Sequence, residues 1–451
     1  MELNKYQQEI FDKQRPVIEN YGKSTWMWTI FFLLWIGVGG YAVYLQIAEG
    51  HGVTGMRDNI VWGLYIANFV FFIGLSYAGA IFSGVLHLLK IDSLKPVLRI
   101  ATFTTVVSTI VGLIFILLCI GRLERLHYLF LYPRLQSPMT WDIFAIGTYF
   151  AGSVLFLYLT LIKDFAIYRD AKLNIPKWKQ KIYTFLAIGY QCTPAQKKRL
   201  DTSTNLIAII IIPLAILVSS VLAWIFGMTL RPGWHSTIFG PYFVVAAVYS
   251  GTGVIILAMW FYRKMYKLQK FITDKHFICL GYVMMVLGAT YGYLIFSEHM
   301  TDWFSSVTWN THVMSKLFDT AQYGWWYLFA NLAGVVIPVL IVAIPKTRTV
   351  NLITIAAFFM VAALWVKRYL IIVPTLEATL VPMQDTRLNY ITYSPTWVEW
   401  VLTLAGIASF FLFFTILSKF VTIIPVSDLE DKEETKIPEV KPVIQPEVIP
   451  A

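Results

Sequence analysis

Ten stretches of about 20 or more largely apolar residues run along the chain, separated by polar segments, at roughly 25–47, 61–87, 97–120, 142–162, 204–228, 238–262, 276–297, 324–344, 350–373 and 397–420. Crossing roughly 30 Å of hydrocarbon takes about 20 residues of helix. None of the ten alternates apolar and polar positions as a barrel strand does, and a backbone in lipid must satisfy its own hydrogen bonds. The pattern therefore predicts an all-α integral membrane protein of ten transmembrane helices, with kinks at Pro213 and Pro338.

Composition sharpens this reading. With 57% hydrophobic, 16% aromatic and 14% charged residues and a mean hydropathy of +0.64, the chain is excluded from the soluble globular class. Gly63-Leu64-Tyr65 opens the second span and Gly240-Pro241-Tyr242 the sixth, each followed by an aromatic, small-residue helix. This weak repeat predicts two four-helix bundles, spans two to five and six to nine, flanked by spans one and ten. The expected divisions are a polar N-terminal segment (1–24), a membrane domain (25–420) and a disordered, Pro-rich tail (421–451). Within the membrane domain the first bundle covers about 61–162 plus 204–228, a basic loop covers 163–203, and the second bundle covers about 238–373. In the basic loop, Trp178 to Ile188 reads as an amphipathic helix lying on the membrane surface.

Charge gives an orientation. Most of the 36 Lys and Arg fall in alternate loops, starting with the N-terminal segment. The positive-inside rule then predicts cytoplasmic termini and a multi-pass protein of the inner (cytoplasmic) membrane. The same rule explains the net charge of +10 without a nucleic-acid partner. The N-terminus lacks the pattern of a cleaved signal peptide. Cys119, Cys192 and Cys279 are too scattered for a disulfide framework or an iron–sulfur site. His87 and His276 form a poor haem pair, and no helix carries HxxxH or HxxE spacing, so neither haem nor metal is expected in this chain.

The span centres hold no Asp or Glu, which counts against a proton- or sodium-driven transporter. Ionisable groups gather instead at the predicted outer rim: Arg122, His127 and Asp142 within the stretch Gly121 to Asp142, then Glu298 and His299. A histidine and a carboxylate bracketing one short loop suit proton-coupled chemistry on a small apolar ligand. The plainer readings are an imidazole bonded to a loop carbonyl and an Asp favouring a helix dipole. Asn68, Tyr77, His87, Asn205, Tyr249, Lys367 and Arg368 are candidates for a proton path from the cytoplasm, against the reading that such polar groups glue helices together.

Several ordered motifs carry a family resemblance: Trp62 to Phe72 (WGLYIANFVFF), Gly121 to His127 (GRLERLH), Ser137 to Asp142 (SPMTWD), Phe239 to Tyr242 (FGPY) and Ser394 to Glu399 (SPTWVE). Together they resemble the NrfD/PsrC family of membrane quinone-reactive subunits. Ten spans resemble its long branch, which includes the quinol-oxidising subunits of alternative complex III. The resemblance implies a subunit without a cofactor of its own that binds menaquinone or ubiquinone as substrate near the outer face. It would exchange electrons with an extracytoplasmic, ferredoxin-like iron–sulfur subunit. A multihaem cytochrome c or molybdopterin subunit and a second NrfD-like subunit are further implied partners.

By motif, His127 and Asp142 match the family's quinone-site pair, and Arg122 matches the arginine of a loop the family often writes DLGRP. Here that loop reads CIGRLER, without the Asp and Pro. Quinol oxidation releases protons as well as electrons, so His127 is expected to accept first and Asp142 to orient it or relay the proton. Tyr65, Tyr128, Tyr132 and Trp141 are the residues expected to clamp the ring and isoprenoid tail. The competing classes are a solute transporter and a purely structural anchor of a redox complex.

Overall fold

A computed structural model describes residues 4–426 except 90, 92–93, 172, 230 and 380–391. Among the described residues ten helical segments are long and apolar enough to cross a membrane. A first amphipathic helix, α1 (Lys5–Glu19), precedes α2 (Lys23–Glu49), α3 (Leu64–Leu88) and α4 (Lys95–Cys119). A single-turn α5 (Tyr128–Leu131) lies before α6 (Pro138–Asp170), the surface helix α7 (Lys177–Leu186) and α8 (Pro194–Gly227). Then come α9 (Phe239–Met265), α10 (Asp274–Ser305), the short α11 (Thr308–Phe318), the paired α12 (Gly324–Asn331) and α13 (Ile337–Ala343), α14 (Val350–Leu376) and α15 (Trp397–Phe420). No strand occurs among the described residues.

Buried α3 organises the packing, touching α4, α8, α9, α14 and α15, whereas α2 packs chiefly on α15 and leaves most of its apolar surface outward. The backbones approach closely where side chains are small. A Cβ on Gly251 of α9 would collide with the Ala78 Cβ of α3, and one on Gly79 would collide with the Ala101 carbonyl oxygen of α4. Helices α4 and α8 also meet α9, and α14 meets α3, so contacts run across the two predicted bundles as well as within them.

Proline shapes the eighth span. Pro338 has no N–H to donate to the Gly334 carbonyl one turn earlier, and a π-helical turn, Leu332–Val336, separates α12 from α13 there. The Tyr249 hydroxyl of α9 donates to that carbonyl at 2.8 Å. At Pro213 the helix continues unbroken through α8.

The ends of the bundle differ. One end, here the terminal face, gathers α1, α7 and the end of α15. There Gln14 exchanges hydrogen bonds with the Ile424 backbone, and Lys179 donates to the carbonyls of Ile18 and Lys419 at 2.8 Å each. Burial, with the Lys419 ammonium nearby, pulls Lys179 down to about 8. A buried ion pair of Arg99 with Asp164 lies in the same region. The predicted disordered tail is corrected at its start: Val421 to Val426 are buried, because this apolar run packs against the inner face of α1, which includes Ile10 and Ile18. The rest of that tail lies outside the described residues. The opposite end, the loop face, carries residues 50–63, 120–137, 228–238 and 306–323.

Candidate functional site

At the loop face α4 ends at Cys119, a 3-10 turn covers Leu123–Arg125, and α5 follows before Pro138 opens α6 in the position where a missing N–H costs nothing. His127, Arg122, Tyr128 and Tyr132 are exposed on this loop, with the His127 ring edge-on to Tyr128 at 4.4 Å. Trp141 is partly buried, its Nε1–H donating to the Leu135 carbonyl at 2.5 Å.

Asp142 is placed differently. It is the fifth residue of α6, past the turn where a carboxylate caps a helix, and only 6% exposed. No hydrogen bond or ion pair joins it to His127 among the described residues. It turns inward, where it is an electrostatic neighbour of Tyr77 on α3. Asp142 Oδ1 and the Tyr77 hydroxyl are both buried without a hydrogen-bond partner in the protein. Buried polar atoms of this kind are uncommon and ask for an explanation.

The same inner face of α6 continues at Tyr149 and Ser153, seven and eleven residues on, at helical spacing and spanning roughly 16 Å of axis. Tyr149 shares a hydrogen bond with Ser76 at 2.8 Å, and Ser76 donates to the Thr105 carbonyl of α4 at 2.8 Å. Ser108 Oγ adds another buried atom without a hydrogen bond, and Ser153 lies beside the Tyr149 hydroxyl. A polar seam therefore runs inward from Asp142 between α3, α4 and α6. Among its members, sequence reasoning singled out Asp142 and Tyr77 but missed Ser76, Ser108, Tyr149 and Ser153. For Tyr149 and Ser153 the signal was their spacing from Asp142 on one face of α6, faint among the many Ser, Thr and Tyr of the chain; Ser76 and Ser108 lie on other helices and had none.

Several other predicted residues are committed to holding helices together. The Tyr65 hydroxyl donates to Gln46 Oε1 at 2.8 Å, and Gln46 Nε2 donates to the Leu118 carbonyl. Asn68 Nδ2 donates to Thr403 while Asn68 Oδ1 accepts from Trp365 Nε1, tying α3 to α15 and α14. His87 Nε2 pairs with Asn205 Oδ1 at 2.9 Å between α3 and α8, and Tyr249 serves the carbonyl freed by Pro338.

A second polar centre lies in the other half. Glu298, His299, Asp302, Asn310 and Lys367 line a cavity of about 50 Å³ between α10, α11 and α14. A water needs roughly 10–15 Å³ on this measure, so the space suits a few waters. Lys367 lies 4.5 Å from the centroid of the Tyr327 ring and makes no ion pair with Glu298 among the described residues. Arg368 turns the other way, over the Phe243 ring and towards Gly74 of α3, with Nη1 buried and unpartnered.

Glu399, within the SPTWVE motif, is another buried carboxylate and was not a predicted site. It is 0% exposed and accepts from the Tyr393 hydroxyl at 2.5 Å, the Gly55 N–H at 2.8 Å and the Thr396 N–H at 2.9 Å. Burial, and beside it the Glu399 carboxylate, hold the Tyr393 phenol well above its ordinary range, so it remains the donor.

Comparison with known proteins decides the family, because a model of the polysulphide reductase, NrfD family matches residues 52–380. The chain belongs to the NrfD family. This NrfD chain is 31% identical over 249 residues to a putative dimethyl sulfoxide reductase membrane subunit of Halobacterium salinarum, covering 54% of this chain and 53% of that protein. It is 24% identical to the Hdr-like menaquinol oxidoreductase integral membrane subunit of Archaeoglobus fulgidus, over 88% of this chain and 93% of the relative. It is also 24% identical to the menaquinone reductase integral membrane subunit of Nitratidesulfovibrio vulgaris, over 88% and 92%. These NrfD-like relatives are thus named as membrane subunits of multi-subunit redox enzymes.

Proposed function

We propose that this chain is the quinone-reactive integral membrane subunit of a respiratory oxidoreductase complex. It binds menaquinol or ubiquinol at the loop face and passes electrons to an iron–sulfur partner docked there. The observation that carries the reading is Asp142: a carboxylate buried a short way below the 121–137 loop, with an oxygen that nothing in the protein satisfies. Two relatives named for menaquinol or menaquinone support the substrate class.

In this reading Asp142 Oδ1 accepts one of the quinol's two hydroxyl protons as its two electrons leave to the iron–sulfur partner, the other proton passing to water at the loop face, and the Tyr77 hydroxyl hydrogen-bonds the ring substituent that Asp142 deprotonates. Exposed Tyr128 and Tyr132, beside exposed Phe130, Leu131 and Leu135, offer the apolar flank for ring and tail. His127 works from the loop, exchanging a proton with the aqueous side rather than orienting Asp142 through a direct bond. Arg122, exposed beside it, meets the charge of the docking partner. The terminal face is the cytoplasmic one by its cations. The Glu298–Lys367 cavity, with room for water between an acid and a base, supports proton handling in the second half.

The test is quinol-dependent electron transfer in membranes holding the assembled complex. Asp142→Asn should abolish it while the complex persists; unchanged turnover would reject the site. Reconstituted alone, the chain should transport no solute and turn over no quinol.

A further inference from the structure

The surface helix α7 does not project away from the bundle. Helix α6 continues to Asp170, but the Tyr158 hydroxyl within its apolar stretch donates to the Leu186 carbonyl at the end of α7, at 2.9 Å. Twelve residues of α6, roughly 18 Å of helix, extend past that contact. The chain therefore folds back, and the end of α7 lies beside a segment that faces hydrocarbon. The inner side of α7 is fixed: Tyr183 donates to the Phe420 carbonyl at 2.7 Å, and Lys179 holds the Ile18 and Lys419 carbonyls.

Its outer side is apolar at one level and cationic at another. Phe185 is 81% exposed, Ile188 68% and Trp178 56%. Ile188 also holds a left-handed backbone at φ +43°, a conformation that a β-branched residue rarely adopts, so the turn presents an apolar side chain outward at a conformational cost. Lys177, Lys181, Lys197, Lys198 and Arg199 are exposed around this patch, and from Ala171 to Leu200 no Asp or Glu occurs. Aromatic and aliphatic groups at hydrocarbon level beside a run of cations, with the flanking carboxylates Glu19, Asp170 and Asp201 already paired to Arg15, Arg169 and Lys163, complement one ligand chemistry: an acyl chain ending in an anionic headgroup.

We propose that α7 and the turn through Cys192 form a binding site for anionic phospholipid at the terminal face. Phe185, Ile188 and Trp178 lie against the acyl chains, and Lys177 and Lys181 hold the phosphate. The proposal stands independently of the quinone reading, since it needs only the membrane.

Hydrogen exchange of residues 177–192 in the full chain, reconstituted into nanodiscs of phosphatidylcholine alone or with phosphatidylglycerol, tests it. Each lysine near an anionic surface contributes roughly a fivefold factor, so phosphatidylglycerol should slow exchange about tenfold or more in the native chain. Lys177→Gln/Lys181→Gln should remove that difference, and Lys177→Arg/Lys181→Arg should keep it. Phe185→Ser should speed exchange in both lipids. Exchange in α3 serves as the control for folding. Equal exchange of the native chain in the two lipids, or a lipid difference that survives the Gln pair, overturns the site; an unchanged Phe185→Ser overturns its apolar half.

Discussion

Asp142 and Glu399 are both buried carboxylates near the loop-face starts of spanning helices, and they lead opposite lives. Glu399 accepts from two hydroxyls, of Tyr393 and Thr396, and two backbone N–H groups. It binds the loop before α3 to the loop before α15, and the Tyr393 hydroxyl that donates to it also accepts from Leu64 N–H at the start of α3. Asp142 sits on the inner face of α6 with Oδ1 unpartnered, facing a phenol in the same condition. Burial is common to both; satisfaction separates them. A fully bonded buried acid is a fastener, whereas the unbonded one is the acid the proposed site assigns to substrate.

The largest effect should come from Asp142→Asn. General acid–base groups contribute roughly 100-fold or more to rate. We expect a loss of quinol-dependent turnover of at least that size, measured with a soluble quinol in native membranes, with complex content unchanged by immunoblot. Glu399→Gln should do the reverse. It places an NH₂ where two backbone donors and a phenol converge, and each buried group left unsatisfied costs about 1–3 kcal/mol. The complex should melt lower and assemble in smaller amounts, while turnover per assembled complex stays near the native value. If both variants lose turnover per complex equally, the contrast between site and fastener fails.

His127→Ala should fall between these. Exposed on the loop and unbonded to Asp142, His127 is not required to set the carboxylate's geometry, so its loss should cost less than the roughly 100-fold expected at Asp142. A loss as large as that of Asp142→Asn, with a non-additive double variant, would show that the two act as a unit when substrate is bound.

The fold was legible because ten apolar runs of spanning length leave little else to build in lipid, and the amphipathic stretch 178–188 appears as α7 at 177–186. The candidate site was only partly legible. Sequence spacing placed His127 and Asp142 on one loop, but which way Asp142 points depends on the phase of α6, fixed by its packing on α4 and α8 and by the contacts of Tyr149 with Ser76 and Tyr77 of α3. The partners of Asn68, Tyr249 and Tyr65 lie on helices far away in sequence, so their work as helix fasteners could not be read locally. Glu399 was hidden for a related reason. SPTWVE looked like a motif of unassigned purpose, and its chemistry is completed by Gly55 and by the Tyr393 hydroxyl seated where Gly63 has no side chain.

The smallest effect, and the one that most sharpens the contrast, is a matched pair of Tyr→Phe changes. In Tyr393→Phe the Leu64 N–H loses its acceptor and Glu399 loses its donor, so a stability loss of about 1–3 kcal/mol is expected, read as a lower melting temperature. Tyr77→Phe removes a hydroxyl that bonds nothing in the protein, so its melting temperature should stay within the roughly 0.5 kcal/mol typical of neutral substitutions. Its turnover should nonetheless fall severalfold, because in the proposed site the hydroxyl bonds the substrate rather than the fold. A Tyr77→Phe variant that melts lower but turns over normally would place Tyr77 with the fasteners and leave Asp142 alone at the head of the seam.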